Sequence, residues 1–186
     1  MSGLDQIKLE DIQVVKLSKV YNLSDFDCGD TDINDFLKND ALMHQEEMIT
    51  ATILFLYNDK ILGFCSLASD AIKLSQEERI ESIVNKGDMK HYPQYPAVKL
   101  ARFGRDKRYA KQGIGKNIII PWVIGYIKSL ERVAVRFITV DAYSKKAGYY
   151  DELGFVRNEH VEYKRKKEDL PVSMRLDLRV SKAGLV

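Results

Sequence analysis

The sequence predicts a mixed α/β (α+β) fold: a central, mostly antiparallel twisted sheet with one parallel βα unit, and helices on both faces. Three observations carry this. The 186 residues, 45% of them apolar, suffice for one sizeable core yet contain no run of eighteen uninterrupted apolar positions. Strand-like segments in the first half are joined by a short turn, the signature of a hairpin. In the second half strands alternate with helical segments, an order that calls for a crossover and a parallel pair. No repeat, low-complexity tract or proline-rich linker breaks the chain, so residues 1–186 read as a single domain.

The elements follow in order. "IQVVKLS" is a short strand. Asp30 or Thr31 caps a helix through "DINDFLKNDALMHQEE", because a short polar side chain can accept from the first N–H groups of a helix. "TATILFLYN" and "KILGFCSLASDAIKL" form a hairpin turned at Asn58-Asp59. The polar segment "SQEERIESIVNKGDMKHYPQYP" reads as helical to Val84 and irregular around its two prolines. "AVKLARFG" is a strand, Gly113 to about Leu130 a helix, "VAVRFITVDA" a strand and "SKKAGYYDEL" a helix, and "FVRNEHVEY" and "VSMRLDLRV" are two closing strands. Pro121 falls about two turns into its helix and lacks a backbone donor, which predicts a bend or a local loosening. Gly125 costs the same stretch roughly 1 kcal/mol relative to alanine, so burial must hold "IIIPWVIGYI" in place. Core packing is the plain reading of that stretch, with a homodimer surface around Trp122 as the alternative.

A net charge of +2 hides an asymmetry. Residues 1–96 hold 9 Lys+Arg against 17 Asp+Glu, whereas residues 97–186 hold 20 against 10. The acidic excess is concentrated in "SDFDCGDTDINDFLKND", for which solvated helix faces and turns are the expected account. The basic excess gathers beside glycines, which favours an anionic ligand. The N-terminal "MSGLDQIKLEDIQVV" lacks the basic-then-apolar order of a secretory signal, so the cytoplasm is the expected compartment and no membrane partner is expected. Cys28 and Cys65 stand singly, with no CxxC and no histidine at metal spacing, and read as reduced structural thiols with no metal site.

The stretch "RDKRYAKQGIGKNIII", Arg105–Ile120, places five basic residues around two glycines that open a helix. A nucleotide-hydrolysing phosphate loop would need glycine at Ala110 and a hydroxyl at Asn117. A dinucleotide fingerprint would need a third glycine at Ile118. What remains is a basic turn after a strand, with Gly113 and Gly115 allowing several N–H groups at a helix N-terminus to face a pyrophosphate. On spacing alone, a glycine turn that merely starts a helix stands level with this reading.

"RYAKQGIGKNII" after "VKLARFG", followed downstream by "AGYYDELGF", resembles the acetyl-CoA-binding core of the GNAT acetyltransferase superfamily. There the loop reads Gln/Arg-x-x-Gly-x-Gly/Ala and the later segment Ala-x-x-Phe/Tyr-Tyr-x-x-x-Gly-Phe. Ala110 departs from the pattern, standing where Gln or Arg is usual, and Arg108, Lys111 and Lys116 can supply charge instead. Over nearly the whole chain, "FDCGDTDINDFLKNDALMHQ", "ILGFCSLASDAIKL" and "VKLARFGRDKRYAKQGIG" look like the branch whose members are toxins of bacterial toxin–antitoxin pairs. The resemblance extends to Arg102 within the cofactor strand. Characterised members of that branch acetylate the amino group of aminoacyl-tRNA and are partnered by ribbon-helix-helix antitoxins.

The resemblance implies an acetyl-CoA-dependent N-acetyltransferase that uses no metal, with the sheet splayed at its parallel pair to take the thioester. The backbone of Phe103, Gly104 and Arg105 takes the pantetheine arm and polarises the carbonyl. Arg108 and the loop residues Ala110, Lys111, Gln112, Gly113, Ile114, Gly115 and Lys116 bind the pyrophosphate. Ser144 falls where many relatives place a pantetheine contact. Tyr150, the second aromatic of the family segment, gives its phenolic proton to the leaving thiolate, for which a phenol of pKa ~10 is suitably protonated at neutral pH. Read from helical spacing alone, Ala147, Tyr150 and Leu153 would be a core-facing stripe, and Tyr149 reads as packing. No general base is selected: His44, His91 and His160 are scattered, and nothing in the spacing chooses among Glu46, Glu47 and Asp70.

The acceptor expected from the resemblance is the amine of aminoacyl-tRNA. The alternatives are a small-molecule or protein amine outside a toxin–antitoxin pair, and a catalytically idle CoA-binding module. Basic candidates for tRNA phosphates are Lys90, Lys99, Arg102, Arg132, Arg136, Lys145, Lys146 and "YKRKK" at 163–167, the last reading equally as a solvated hairpin turn.

Overall fold

The computed structural model describes residues 7–75, 77–78, 94–158 and 171–180. Among them are seven strands: β1 (Gln13–Lys16), β2 (Ala51–Tyr57), β3 (Lys60–Ile72), β4 (Tyr95–Arg105), β5 (Phe137–Ala142), β6 (Val156–Arg157) and β7 (Val172–Asp177). They hydrogen-bond as one sheet in the order β1-β2-β3-β4-β5-β7-β6. β1/β2, β2/β3, β5/β7 and β6/β7 pair antiparallel, while β4 and β5 run parallel from Ala97↔Phe137 to Lys99↔Thr139. The mixed sheet with one parallel pair, expected from the order of elements, is therefore present. Helix α1 (Thr31–Asp35) passes through a π turn (Phe36–Asp40) into α2 (Ala41–Glu46). A second π turn (Gly115–Ile119) leads into α3 (Ile120–Lys128), and α4 (Ala147–Asp151) follows a 3-10 turn over Ser144–Lys146.

Two elements differ from expectation. β4 begins at Tyr95 and so includes Pro96, whose carbonyl accepts from the N–H of Arg136 at 2.9 Å. β5 begins only at Phe137; Arg136 just before it keeps backbone bonds to Pro96 and Leu178, and its guanidinium forks onto Asp177 at 2.9 and 2.6 Å. Of the segment expected to be helical to Val84, residues 77 and 78 are helical and 79–84 lie outside the described residues, as do Pro93, most of "FVRNEHVEY" and the basic "YKRKK".

The contacts fall into two compact units. The first comprises the described residues of Met1–Ala68 and Leu100–Val123. Its hairpin turns where predicted, with Asn58 and Asp59 both left-handed at φ 48° and 59°, as a type I′ turn requires. Asp30 is the N-cap of α1 and accepts from the N–H of Ile33 at 3.3 Å. Ile33, Phe36, Leu37 and Ala41 recur at helical spacing and bury one stripe against Phe26, Leu54, Leu56, Ile61 and Phe64. Each of the larger side chains among them contributes about 1.5–3 kcal/mol on burial. The one polar pair buried between β2 and β3, Thr52 and Ser66, is satisfied by a mutual hydroxyl hydrogen bond of 2.7 Å.

The second unit comprises the described residues of Ser69–Lys99 and Ile124–Val186. Ile72, Leu74, Tyr95, Ala97 and Phe137 form a core cluster there. Ser75 and Glu78 make a reciprocal capping box, at 2.7 and 2.8 Å. The same Glu78 carboxylate accepts from Arg175 Nη1 at 2.6 Å, and that nitrogen also donates to Asn158 Oδ1 and the Arg157 carbonyl. Both charges are buried. Deleting one partner strands the other in a medium of low polarity, so Arg175→Ala should lower stability to chemical denaturation by about 3–5 kcal/mol. A loss under 1 kcal/mol would mean that the pair is solvated.

Candidate functional site

In the first unit the site grows from the end of β4. A Cβ on Gly104 would lie 2.7 Å from Phe64, 3.0 Å from Ile33 and 3.3 Å from Phe26, so only glycine lets β4 close over the aromatic core. A Cβ on Gly63 would meet the Gly104 carbonyl at 2.8 Å and Ile119 at 2.6 Å. Gly104, read from sequence as a pantetheine contact, is thus also required by packing.

After Arg105 the chain turns on Asp106, whose side chain is only 1% exposed. Its N–H donates to the Leu62 carbonyl at 2.9 Å, and its own carbonyl accepts from Arg105 Nη1 at 2.7 Å. The carboxylate accepts from the N–H, Nε and Nη2 of Arg108, each at 2.8 Å, and from the Asp27 N–H at 3.2 Å. Burial pushes this carboxyl up, but the hydrogen bonds from Arg108 and Asp27 outweigh it and hold it below the usual carboxylate range. Asp27 in turn pairs with Lys107 and accepts from Asn34 Nδ2 and the Gly29 N–H. The Lys107 hydrogen bond first, then those of Asn34 and Gly29, hold Asp27 far below its ordinary value. The sequence alone places Asp27 in a solvated acidic run and assigns Asp106 no role; the available signal is Asp106 standing alone among basic residues.

A 3-10 turn, Lys107–Tyr109, then delivers the glycine loop. Lys111 adopts φ 63° and Gly113 φ 70°. The left-handed region suits glycine, but a lysine there carries strain of about 1–2 kcal/mol. The first helical bond runs from the Asn117 N–H to the Gly113 carbonyl at 2.7 Å. The N–H groups of Ile114 and Gly115 therefore sit in a first turn with no carbonyl one turn behind them. Lys111 and Lys116 are exposed beside them. The loosening expected from Pro121 takes a specific form: the preceding turn widens to π, closed by the Ile120 N–H on the Gly115 carbonyl. Trp122 packs edge-on against Phe55, with centroids 5.3 Å apart.

In the second unit, Tyr150 lies near the end of α4 and is 7% exposed. The helix stops in a Schellman motif: the Phe155 N–H reaches the Tyr150 carbonyl and the Gly154 N–H the Asp151 carbonyl, each at 3.0 Å, with Gly154 at φ 86°. The apolar contact typical of this cap is Phe155 on Tyr150, with centroids 5.4 Å apart, and Tyr149 packs on the same ring at 5.3 Å. The Tyr-x-x-x-Gly-Phe spacing is thus a device that locks the Tyr150 ring. Burial, and secondarily Tyr149, push its phenol above its ordinary pKa of 10. Ser144 is exposed at the start of the preceding 3-10 turn.

The remaining basic candidates divide. Lys99 pairs with Asp141 and Arg136 with Asp177, Arg102 lies over the Phe36 ring at 5.3 Å and Lys145 over Tyr143 at 5.9 Å. Arg132 and Lys146 are exposed, while Lys90 and 163–167 lie outside the described residues. His44 packs edge-on against Phe36; His91 and His160 lie outside the described residues. Asp70 accepts from the Thr139 hydroxyl. No helix among the described residues is long and apolar enough to cross a membrane.

Two outcomes follow from this geometry. Gly113→Ala should cost about 1 kcal/mol or more in thermal unfolding, since alanine resists φ near +70° and its Cβ would press on the Asn117 amide at 2.4 Å; an unchanged or higher Tm would contradict it. In an NMR titration, the carboxyls of Asp27 and Asp106 should both protonate below the reference value of about 3.9. Their contribution to stability is then complete above that pH and lost as pH falls through the depressed values. A midpoint at or above the reference would contradict the paired state.

No family model matches the chain. Solved structures do match over nearly its whole length. A tyrosine-to-phenylalanine mutant of KacT superposes with TM-score 0.72 at 20% identity, covering 91% of this chain and 96% of that one. AtaT complexed with acetyl-methionyl-tRNAfMet gives 0.71 at 21% identity, covering 91% and 96%. A tyrosine-to-phenylalanine mutant of the AtaT toxin, bound to the C-terminus of the antitoxin AtaR and acetyl-CoA, gives 0.66 at 18% identity, covering 91% and 94%. With the seven-stranded mixed sheet and its parallel pair, this chain shares the fold of AtaT and KacT.

Proposed function

We propose that the chain is a GNAT-type N-acetyltransferase that moves an acetyl group from acetyl-CoA to a primary amine, with the amino group of an aminoacyl-tRNA as acceptor. The observation that carries this reading is the loop from Ala110 to Lys116. Left-handed Lys111 and Gly113 open a helix whose first-turn N–H groups lack carbonyls, with lysines beside them, which suits a pyrophosphate. Strain kept at a lysine fits a conformation retained for a ligand. The tRNA acceptor and a toxin-like role are supported by the fold shared with AtaT, whose complex contains acetyl-methionyl-tRNAfMet. An antitoxin partner of ribbon-helix-helix type belongs to the same reading.

Acetyl-CoA supplies the acetyl group as a thioester; the amine forms the new N–C bond, the C–S bond breaks, and the amine's proton passes to solvent. The loop binds the pyrophosphate, and the backbone of Phe103, Gly104 and Arg105 holds the pantetheine arm and polarises the carbonyl. Ser144 adds a pantetheine contact. The Tyr150 hydroxyl donates to the departing sulfur, and its proton is restored from solvent. Because burial raises the phenol, Tyr150 stays in the donating form across and above the physiological range. The α-amine of an aminoacyl ester is largely neutral near pH 7–8, which lessens the need for a strong base.

A screen of acceptors for labelled acetyl uptake, including charged tRNA, small amines and basic peptides, decides the substrate class. Labelling of charged tRNA alone is expected; labelling of small amines or peptides alone would replace the tRNA reading, and no labelling with CoA bound would leave an idle CoA-binding module. Tyr150→Phe should lower kcat about 10²-fold with CoA affinity retained, and unchanged kcat would remove Tyr150 as the donor. The wild-type rate should show no alkaline fall from this group below about pH 10.

A further inference from the structure

The glycine loop is delivered by a turn that two aspartates hold from outside the loop. We propose that Asp106 and Asp27 are positioning residues for the acyl-donor loop, and that Arg108 acts on a bound CoA only through Asp106 rather than by touching phosphate. This rests on the reading of the loop as a pyrophosphate cradle.

Arg108 has committed both nitrogens of one edge, Nε and Nη2, to a single buried carboxylate, and Nη2 also donates to the Asp25 carbonyl at 3.4 Å. A planar guanidinium forked in this way is oriented and neutralised at once. Releasing it to a ligand would leave Asp106 buried and unpaired, which is costly. Lys107 is likewise tied to Asp27 at its ammonium, and its N–H donates to the Asp27 carbonyl at 2.8 Å. The Asp27 N–H closes the circuit on Asp106, joining positions 79 residues apart. Asn34 fixes the far side, giving Nδ2 to Asp27 and accepting from the Cys28 N–H at 2.9 Å.

What this circuit sets is the direction of the loop. The Tyr109 N–H donates to the Asp106 carbonyl at 3.1 Å and the Ala110 N–H to the Lys107 carbonyl at 3.0 Å. The next residue but one after Lys107's turn partner Tyr109 is the strained Lys111. Orienting residues 106 and 107 therefore orients the N–H groups that follow. Of the five basic residues from Arg105 to Lys116, Lys107 and Arg108 serve the scaffold and Arg105 gives Nη1 to the Asp106 carbonyl, while Lys111 and Lys116 stand exposed in the loop itself.

The test compares CoA with pantetheine, which lacks the pyrophosphate and does not use the loop. Dissociation constants of both are measured by calorimetry or NMR titration for Asp106→Asn, Arg108→Gln and the double variant, with folding checked by circular dichroism. Asp106→Asn should weaken CoA about tenfold or more while moving pantetheine less than about twofold, and the double variant should be no worse than the weaker single. Additive losses would show that Arg108 touches phosphate itself and overturn the proposal. Equal weakening of both ligands would reduce the circuit to general stability, and CoA affinity within twofold of wild type would also defeat it. If Asp106→Asn does not fold, Asp27→Asn, at a more exposed carboxylate, takes the same comparison with the same outcomes. A wild-type protein that binds no CoA would fail the cofactor reading and this inference together; wild-type binding with indifferent variants would fail this inference alone.

Discussion

Two glycines that meet across neighbouring strands set the geometry of the first unit. Gly63 faces the Gly104 carbonyl so closely that any side chain at either position would collide with backbone or with an aromatic ring. Because β4 can settle there, Phe26 and Phe36 pack on Phe64, and α1 and α2 are seated by their apolar stripe. The same approach brings Ile119 over Gly63, which fixes the helix that the glycine loop opens. Loop position is therefore a consequence of core packing upstream of any ligand contact. Interiors packed at crystal-like density transmit such constraints with little slack.

The second unit holds Tyr150, the proposed proton donor, by a different route. Tyr150 belongs to a helix of five residues, too short to be stable on its own. What holds it is the way the helix ends: a left-handed Gly154, two carbonyls satisfied from beyond the terminus, and Phe155 folded back on the ring. Helical spacing alone makes Tyr150 a core residue, and its ring is one. The packing and chemical readings are compatible, since a ring locked by its neighbours presents a hydroxyl with little freedom to lose.

Local rules made much of this legible. Asn58-Asp59 announced a hairpin turn because only certain residues tolerate paired positive φ, and Pro121 announced a defect because a missing donor must be absorbed somewhere. That the defect would be a π turn was not legible, since a missing donor can be absorbed by a kink as well as by i→i+5 closure. The late start of β5 was not legible either, since "VAVRF" reads as continuous strand and nothing local marks Phe137 as its first residue. Least legible was the Asp27–Asp106–Arg108 circuit. Its partners are far apart in sequence, and periodicity carries no information about which carboxylate a guanidinium will find.

That circuit also changes how the charge asymmetry is understood. An acidic first half and a basic second half suggest a surface ready for phosphates, but formal charge counts side chains before they are paired. Asp27 and Asp106 take up Lys107 and Arg108, while Asp141, Asp177 and Glu78 take up Lys99, Arg136 and Arg175. Where the pairs are buried, their fields cancel within a few ångströms and contribute little to steering a polyanion. The residual field belongs to cations such as Lys111, whose backbone is strained into place beside the first N–H groups of a helix. A basic residue held at a cost in conformation is a better guide to an anion site than a tally of lysines and arginines.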